Sequence, residues 1–207
     1  MKKIKDILYK VEIQSIVGST DATIDHLTFD SRQVKSNTLF IAIVGEVVDG
    51  HAYIKQAIEQ GATAIVCQVL PSDLVEGVVY VVVEDSNRAL ALIAANFYDN
   101  PSHKLKLVGV TGTNGKTTIA TLLYNMFTSL GYKVGLLSTV NIRIGAALYE
   151  TSHTTPDSIT INAYLNQMAE EGCEFCFMEV SSHGVVQHRT FGLHFEGGIF
   201  TNLTHDH

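Results

Sequence analysis

Residues 108–118 read VGVTGTNGKTT, a glycine-rich turn with an apolar strand pattern before it and a helical pattern after it. The glycines let backbone N–H groups turn toward one point, and the helix N-terminus adds positive potential there. This context predicts a phosphate-binding loop in which Lys116 reaches the terminal phosphates and the Thr117 hydroxyl holds Mg²⁺. The spacing departs from the strict G-x-x-x-x-G-K-[ST] pattern, because Val110 stands where its first glycine belongs. The alternative is a glycine-rich turn in which GKT arises by chance.

A carboxylate follows a second apolar segment, FMEVSSH at residues 177–183. If this segment is a strand of a parallel sheet, Glu179 at its end faces the same crevice as the phosphate-binding loop. A carboxylate at that place can ligate the Mg²⁺ of a nucleotide, directly or through water. Ser181 and Ser182 supply short hydroxyl donors beside it. The competing interpretation is that Glu179 only caps the helix that follows.

Two threonines precede a helical pattern in HTTPDS, at residues 153–158. The hydroxyls of Thr154 and Thr155 are held by a proline ahead of a helix that Asp157 is expected to cap. Both threonines are candidates for a functional role, although an ordinary helix-entry turn explains part of this motif.

Three further motifs give weaker signals. Arg189, in QHR, could bind a carboxylate or phosphate through a two-pronged pair, but an arginine of this kind is more often solvated at the surface. His205 and His207 alternate in THDH and could face one metal ion on a strand, although zinc normally takes four ligands. Cys173 and Cys176 form a C-x-x-C pair that leads into a strand, which favours buried thiols over a redox site.

The composition excludes several classes of protein. With 207 residues, 46% apolar and 17% charged, the chain is long and apolar enough for a hydrophobic core and is not disordered. A net charge of −7 argues against a nucleic-acid partner, because such binding depends on clustered lysine and arginine. No apolar run approaches the roughly 20 residues of a membrane-spanning helix. Three cysteines cannot build a disulfide scaffold, so we expect a cytoplasmic protein without membrane insertion.

The elements that must position these residues form two stretches in which strand-like and helix-like patterns alternate. The sequence DNPS at residues 99–102 separates them and predicts a boundary between domains at residues 1–100 and 101–207. The alternation predicts an α/β protein, with a small first domain followed by a P-loop-type domain that has a mainly parallel sheet. Strands are predicted at residues 24–29, 39–44, 64–67, 78–83, 105–110, 134–137, 176–180 and 198–200.

Helices are predicted between these strands. One spans residues 51–60, a second is capped by Ser86, and another runs from Asp157 to about residue 171. The helix after the phosphate-binding loop is amphipathic, with an apolar face predicted at Ile119, Leu122, Leu123, Met126, Phe127 and Leu130.

In order and spacing, the motifs GVTGTNGKTT, HTTP, MEVSSHGVVQHR and FTNLTHDH resemble the Mur ligases. The earlier segments DSRQV, LFIAIVGEVVDGHAYI and AIEQGATAIV are similar to the N-terminal domain of the same enzymes. The resemblance covers nearly the whole chain and is strongest toward the MurE-type branch. That branch adds a diamino acid, lysine or diaminopimelate, to UDP-N-acetylmuramoyl-L-alanyl-D-glutamate.

The resemblance implies roles for particular residues. The uridine contact falls on Ser31, near the loop at residues 46–48, and the catalytic and magnesium-binding positions fall on Lys116, Glu179 and His207. His205 stands where many relatives carry arginine and receives no role. The implied ATP-binding residues are Gly112, Thr113, Asn114, Gly115, Lys116, Thr117 and Thr118. The implied contacts to the UDP-muramoyl peptide are Thr154, Thr155, Ser181, Gln187 and Arg189.

The resemblance also implies a reaction and its partners. The γ-phosphoryl group of ATP moves onto the D-glutamate carboxylate to give an acyl phosphate, which the amine of the diamino acid attacks as phosphate leaves. The implied cofactors are ATP and Mg²⁺, and the complete ligase is expected to be a monomer in the cytoplasm. In the family, a carbamylated lysine and a C-terminal amino-acid domain follow the DH motif. Neither is found here, so an incomplete central domain and an inactive fragment are expected.

Two other functions remain open at this stage. The first is a related ATP-dependent ligase of the folylpolyglutamate or cyanophycin type. The second is a nucleotide-binding module without enzymatic activity.

Overall fold

The structure is a computed structural model that describes residues 1–45, 48–145, 147–150 and 155–204. The chain divides into two compact units, Met1–Phe97 and Tyr98–His207. Each unit is built around a sheet in which most neighbouring strands are parallel. The predicted α/β architecture is confirmed.

The first unit pairs a five-stranded sheet with short helices. Its described strands are β1 (Lys2–Lys3), β2 (Ile13–Val17), β3 (Thr23–Ile24), β4 (His26–Thr28), β5 (Thr38–Ile41), β6 (Ala62–Cys67) and β7 (Val79–Val83). Its described helices are α1 (Ile4–Ile7), α2 (Ile54–Glu59) and α3 (Ser86–Phe97), with 3₁₀ turns at Ser31–Gln33 and Gly50–Tyr53. The predicted helix at residues 51–60 is therefore split into a 3₁₀ turn and α2.

The five-stranded sheet has the order β2-β7-β6-β5-β4. Strands β7 to β4 are parallel, whereas β2 joins β7 in the antiparallel direction. The central strands are apolar along almost their whole length because both faces of the sheet are covered. Phe40, Ile65 and Tyr80 form the centre of this core, and α2 packs on it through Ile54 and Ala57.

The second unit contains the predicted phosphate-binding loop. Its described strands are β8 (Lys106–Thr111), β9 (Val134–Leu137), β10 (Asn141–Ile144), β11 (Ala147–Glu150), β12 (Phe175–Glu179) and β13 (Gly197–Phe200). Its described helices are α4 (Lys116–Ser129), α5 (Ser158–Glu170) and α6 (Ser182–Val186), with a 3₁₀ turn at Pro101–His103.

The sheet of the second unit has the order β11-β10-β9-β12-β8-β13. Strands β9, β12, β8 and β13 are parallel, and they bring the ends of β8 and β12 to the same edge. Alternate residues of β12 face opposite sides. Cys176 and Met178 pack in the cluster that contains α5 residues, and Phe177 packs in the cluster that contains α4 residues. The antiparallel hairpin of β10 and β11 was not predicted.

The prediction that Ser86 caps α3 is wrong. The capping oxygen belongs to Asp85, whose Oδ1 accepts hydrogen bonds from the backbone N–H groups of Asn87 (2.8 Å) and Arg88 (3.1 Å). Ser86 is buried instead, and its hydroxyl donates to Oε1 of Gln68 at 2.7 Å. Aspartate and serine both favour the cap position, so the sequence does not show which of these adjacent residues caps α3. The contact of Ser86 with Gln68, 18 residues away, leaves Asp85 as the cap.

The predicted apolar face of α4 is only half correct. Ile119, Leu123 and Phe127 pack on the core, as predicted, beside the buried Ala120 and Tyr124. Leu122, Met126 and Leu130 are instead 61%, 49% and 65% exposed. The helix is rotated toward Tyr124, whose hydroxyl donates to the carbonyl of Gly145 at 2.7 Å.

The three cysteines are buried free thiols, so the prediction for Cys173 and Cys176 is confirmed. Burial raises the pKa of Cys67 to about 11 and raises that of Cys176 further above the ordinary thiol value. Such thiols stay protonated near neutral pH and are poor nucleophiles. Within the described residues, no helix has the length and apolar character needed to cross a membrane.

The cap of α5 can be tested directly. Asp157 accepts hydrogen bonds from the backbone N–H (3.0 Å) and the hydroxyl (2.7 Å) of Thr160. Asp157→Ala should therefore lower the free energy of unfolding by about 1 kcal/mol. Asp157→Ser, which keeps a capping oxygen, should lose less. Urea denaturation followed by circular dichroism measures both variants, and equal stability of wild type and Asp157→Ala would contradict the assigned cap.

Candidate functional site

The phosphate-binding loop connects β8 to α4 and is shaped by two glycines in the left-handed region. Gly112 has φ +132° and Gly115, the residue before α4, has φ +87°. Only glycine adopts such angles without strain. Lys116 folds back across this loop, and its ammonium donates to the carbonyls of Gly112 (2.7 Å) and Thr113 (2.9 Å). The lysine charge is therefore held over the loop. Thr118, in the same first turn of α4, is exposed.

The carboxylate of Glu179 lies against this loop. Glu179 ends β12 and is only 2% exposed. One of its oxygens accepts a hydrogen bond from the Thr117 hydroxyl at 2.9 Å, and the other accepts from the backbone N–H of Thr139 at 3.0 Å. The structure thus brings together the two side chains that the sequence suggested for magnesium. The alternative that Glu179 caps the next helix is wrong, because Ser181 caps α6 through its bond from the Gly184 N–H.

These oxygens suit a hard divalent cation. Mg²⁺ is typically bound by one or two protein oxygens together with waters and substrate phosphates. The hydroxyl of Thr117 and the carboxylate of Glu179 meet this requirement at the base of the phosphate-binding loop. In the part of the chain that the structure describes, no group of three or more His, Cys, Asp or Glu side chains could hold a metal ion. His205 and His207 lie outside the described residues.

A second polar cluster joins four residues that the resemblance assigned to substrate. The hydroxyls of Thr155 and Ser181 are 3.0 Å apart, and the Ser181 N–H also donates to the Thr155 hydroxyl. The guanidinium of Arg189 donates to the carbonyl of Thr155 and to the side-chain oxygen of Gln187. Arg189 is therefore part of a polar network and not a solvated surface residue. Thr154 lies outside the described residues.

Ser31 lies in the first unit, at the wall of a cleft of about 580 Å³. Its hydroxyl donates to Oε1 of Gln56 at 3.2 Å. Beside it, a hydrogen bond from the Arg32 guanidinium holds the pKa of Asp30 below its ordinary value. The cleft is lined by Phe29, Asp30, Ser31, Arg32, Ile43, Val48, Gly50, Tyr53 and Gln56. Residues 46–47 of the neighbouring loop lie outside the described part.

Sequence reasoning missed several residues of these sites. Thr139 reaches Glu179 through its backbone, Asn202 contacts the phosphate-binding loop, and Gln56 pairs with Ser31. Thr139 and Asn202 each follow a parallel strand at its carboxyl end. That position was a usable signal, because ligands of open α/β sheets bind at this edge.

The fold and these sites define a class of protein with a phosphate-loop unit preceded by a separate α/β unit. A family model described as the Mur ligase middle domain matches residues 110–207, and one described as the Mur ligase family catalytic domain matches residues 23–98. The chain belongs to the Mur ligase family. The resemblance carried by the sequence motifs is confirmed.

Relatives match along almost the whole chain. The UDP-N-acetylmuramoyl-L-alanyl-D-glutamate–2,6-diaminopimelate ligase of Bacteroides fragilis is 58% identical over 205 residues, and the corresponding ligase 1 of Clostridium acetobutylicum is 47% identical over 205 residues. Each alignment covers 99% of this chain and 42% of the relative. The chain thus spans less than half the length of these relatives.

Solved structures show the same fold. A structure of a UDP-N-acetylmuramoyl-L-alanyl-D-glutamate–2,6-diaminopimelate ligase has a TM-score of 0.81 and 25% identity, and covers 100% of this chain and 41% of its own. The MurF ligase of Thermotoga maritima in complex with ADP has a TM-score of 0.54 and 22% identity, with 86% and 37% covered. The second match shows the fold alone.

The Thr155–Ser181 contact is expected to stabilise the second unit. Thr155 is only 1% exposed, and Thr155→Val would remove the acceptor of the Ser181 backbone N–H and the contact between the two hydroxyls. We expect the free energy of unfolding to fall by about 1–3 kcal/mol. Thr155→Ser keeps the hydroxyl and serves as the control in the same urea titration. Equal unfolding midpoints for Thr155→Val and Thr155→Ser would show that the hydroxyl contact contributes nothing.

Proposed function

We propose that this protein is an ATP-dependent amide ligase of peptidoglycan synthesis. Its substrates would be UDP-N-acetylmuramoyl-L-alanyl-D-glutamate and a diamino acid, with diaminopimelate favoured by the names of its relatives. The observation that carries the proposal is the 58% identity with a ligase of that name, over an alignment that spans 99% of the chain. That alignment leaves more than half of the relative without a counterpart in this sequence.

Lys116 is the residue that would bind the terminal phosphates of ATP. Its ammonium now donates to two neutral loop carbonyls, and a phosphate oxygen is a stronger acceptor because it is charged. The ammonium would therefore turn from the loop to the nucleotide with a gain in hydrogen-bond strength. The N-terminus of α4 would add favourable potential at the same place.

Thr117 and Glu179 would hold Mg²⁺ beside the phosphates, and the resemblance adds His207 as a further ligand. The support for this assignment is the 2.9 Å contact between the two oxygen-bearing side chains. The chemistry that Mg²⁺ supplies when bound is neutralisation of charge on the transferred phosphoryl group. Glu179 needs no rearrangement of the backbone to take this role, because Thr139 already orients its second oxygen.

The uridine and the acidic peptide of the UDP-muramoyl dipeptide each have a candidate site in the chain. The cleft at Ser31 offers the aromatic rings of Phe29 and Tyr53 and a buried hydroxyl, which suit a uracil and its ribose. The cluster of Thr155, Ser181 and Arg189 offers hydroxyl and guanidinium donors for the acidic muramoyl peptide. The D-glutamate carboxylate would accept the γ-phosphoryl group of ATP as ADP leaves, and the amine of the diamino acid would then displace phosphate.

Binding tests the proposal directly on the 207-residue chain. UDP-N-acetylmuramoyl-L-alanyl-D-glutamate, UMP and ATP–Mg²⁺ would be titrated separately by isothermal calorimetry. We expect micromolar binding of the UDP substrate and weaker binding of UMP. Ser31→Ala should weaken both uridine ligands by about two- to tenfold, in line with the loss of one hydrogen bond, and leave ATP–Mg²⁺ unaffected.

Two outcomes would argue against the ligase. A folded, monomeric chain that binds ATP–Mg²⁺ but neither uridine ligand would favour a nucleotide-binding module or a ligase with another acceptor. A folded chain that binds none of the three ligands would overturn the assignment of both sites.

The role of Glu179 in magnesium binding gives a sharper prediction. Glu179→Gln keeps the size of the side chain but removes its charge. We expect the affinity for ATP–Mg²⁺ to fall by about 10- to 100-fold, because an interaction with a charged group is lost. The same titration with ATP and EDTA is the control. If the variant lost equal affinity with and without Mg²⁺, Glu179 would not act through the metal ion.

A further inference from the structure

A short segment after the edge strand β13 lies against the phosphate-binding loop. We call residues 201–204, with the sequence TNLT, the brace. Its residues hydrogen-bond to the loop at several points: the Thr201 hydroxyl donates to the carbonyl of Asn114 at 2.7 Å, and the Thr204 N–H donates to the hydroxyl of Thr113 at 3.0 Å. The brace is about 90 residues from the loop in sequence, so these contacts are purely tertiary.

Asn202 makes the most specific of these contacts. Its side-chain oxygen accepts from the backbone N–H of Asn114 at 3.0 Å, and its side-chain N–H donates to the carbonyl of the same residue at 3.2 Å. Its own carbonyl accepts from the backbone N–H of Thr113 at 2.9 Å. Asn202 thus holds the backbone of Thr113 and Asn114. Its carboxamide both accepts from and donates to the backbone of Asn114, as a peptide group of a neighbouring strand would.

Gly112 provides independent support for a close approach of the two segments. A Cβ at this position would lie 2.2 Å from the hydroxyl of Thr201 and 2.8 Å from the carbonyl of Asn202. Any side chain here would push the brace away from the loop. A Cβ on Gly115, in contrast, would meet no atom within 4 Å. Gly112 is therefore required for two reasons: the brace lies too close for a Cβ, and the φ of +132° strains any other residue.

The backbone N–H groups of the loop and those at the start of α4 have different partners. Those of Thr113 and Asn114 are directed to the brace and are not available to a ligand. The N–H groups of Lys116, Thr117 and Thr118, which begin α4, have no acceptor within the helix and are available for phosphate. We propose that Asn202 is a positioning residue, which holds the loop in the shape that presents Lys116 and this first turn to the phosphates. The inference rests on the proposed nucleotide site.

The test compares Asn202→Ala with Leu203→Ala. Leu203 is the neighbouring residue of the brace, and its side chain is 83% exposed. Two readouts are needed: affinity for ATP–Mg²⁺ by calorimetry, and hydrogen–deuterium exchange of a peptide that covers residues 112–116 without nucleotide. For Asn202→Ala we expect about tenfold weaker binding of ATP–Mg²⁺ and about tenfold faster exchange in the loop. Leu203→Ala should resemble wild type in both.

Circular dichroism and thermal unfolding report whether each variant is folded, and Asn202→Asp is a second variant of the same size. It keeps the acceptor for the Asn114 N–H but loses the donor to the Asn114 carbonyl. Wild-type affinity for ATP–Mg²⁺ in both Asn202 variants would overturn the inference, as would a loss of thermal stability without change in affinity or loop exchange. If wild type itself failed to bind ATP–Mg²⁺, the proposed nucleotide site would fail, while the exchange data would still decide whether Asn202 holds the loop.

Discussion

The buried carboxylate of Glu179 is the constraint on which the phosphate-loop unit depends. A charge at 2% exposure is costly unless it is hydrogen-bonded, and its two partners come from different parts of the chain. Thr117 is the second residue of the helix after β8, and Thr139 follows β9. Since β12 lies between β8 and β9, the parallel order of these strands brings both partners to one carboxylate. A change in strand order would leave Glu179 buried without them.

Much of this arrangement could be predicted because it depends on local pattern. The apolar strands, the loop at residues 112–115 and the cap at Asp157 each follow from a few adjacent residues, and the edge shared by Glu179 and Thr117 follows from parallel pairing. The contacts of Thr139 and Asn202 could not be predicted in the same way. They join residues 40 and about 90 positions apart and depend on register, which a single sequence does not give. The roles of Thr154 and His207 stay predictions, since both lie outside the described residues.

In helix α4, the spacing of apolar residues fits a helix, but half of the residues that it predicts to be buried are exposed. Leu122, Met126 and Leu130 have the spacing of a buried stripe, yet Ala120 and Tyr124 are buried in their place. Two adjacent stripes fit the 3.6-residue period almost equally well. The choice between them depends on the surface beneath, where the small Ala120 fits close to the sheet and the Tyr124 hydroxyl reaches the Gly145 carbonyl. Neither feature is visible in the hydrophobic pattern.

The departure from the strict phosphate-loop pattern also has a structural reason. The first glycine of that pattern would fall on Val110, but β8 is still paired with both neighbouring strands at this residue, and its side chain is buried in the core under α4. The chain does not turn until Gly112, where a glycine is required both by the backbone angle and by the close approach of residues 201–202. Gly115 is required by its backbone angle alone. The loop therefore begins two residues later than the strict pattern, and a segment distant in sequence holds its first half in place. The side chains of Lys116 and Thr117, after the second glycine, bond instead to the loop carbonyls and to Glu179.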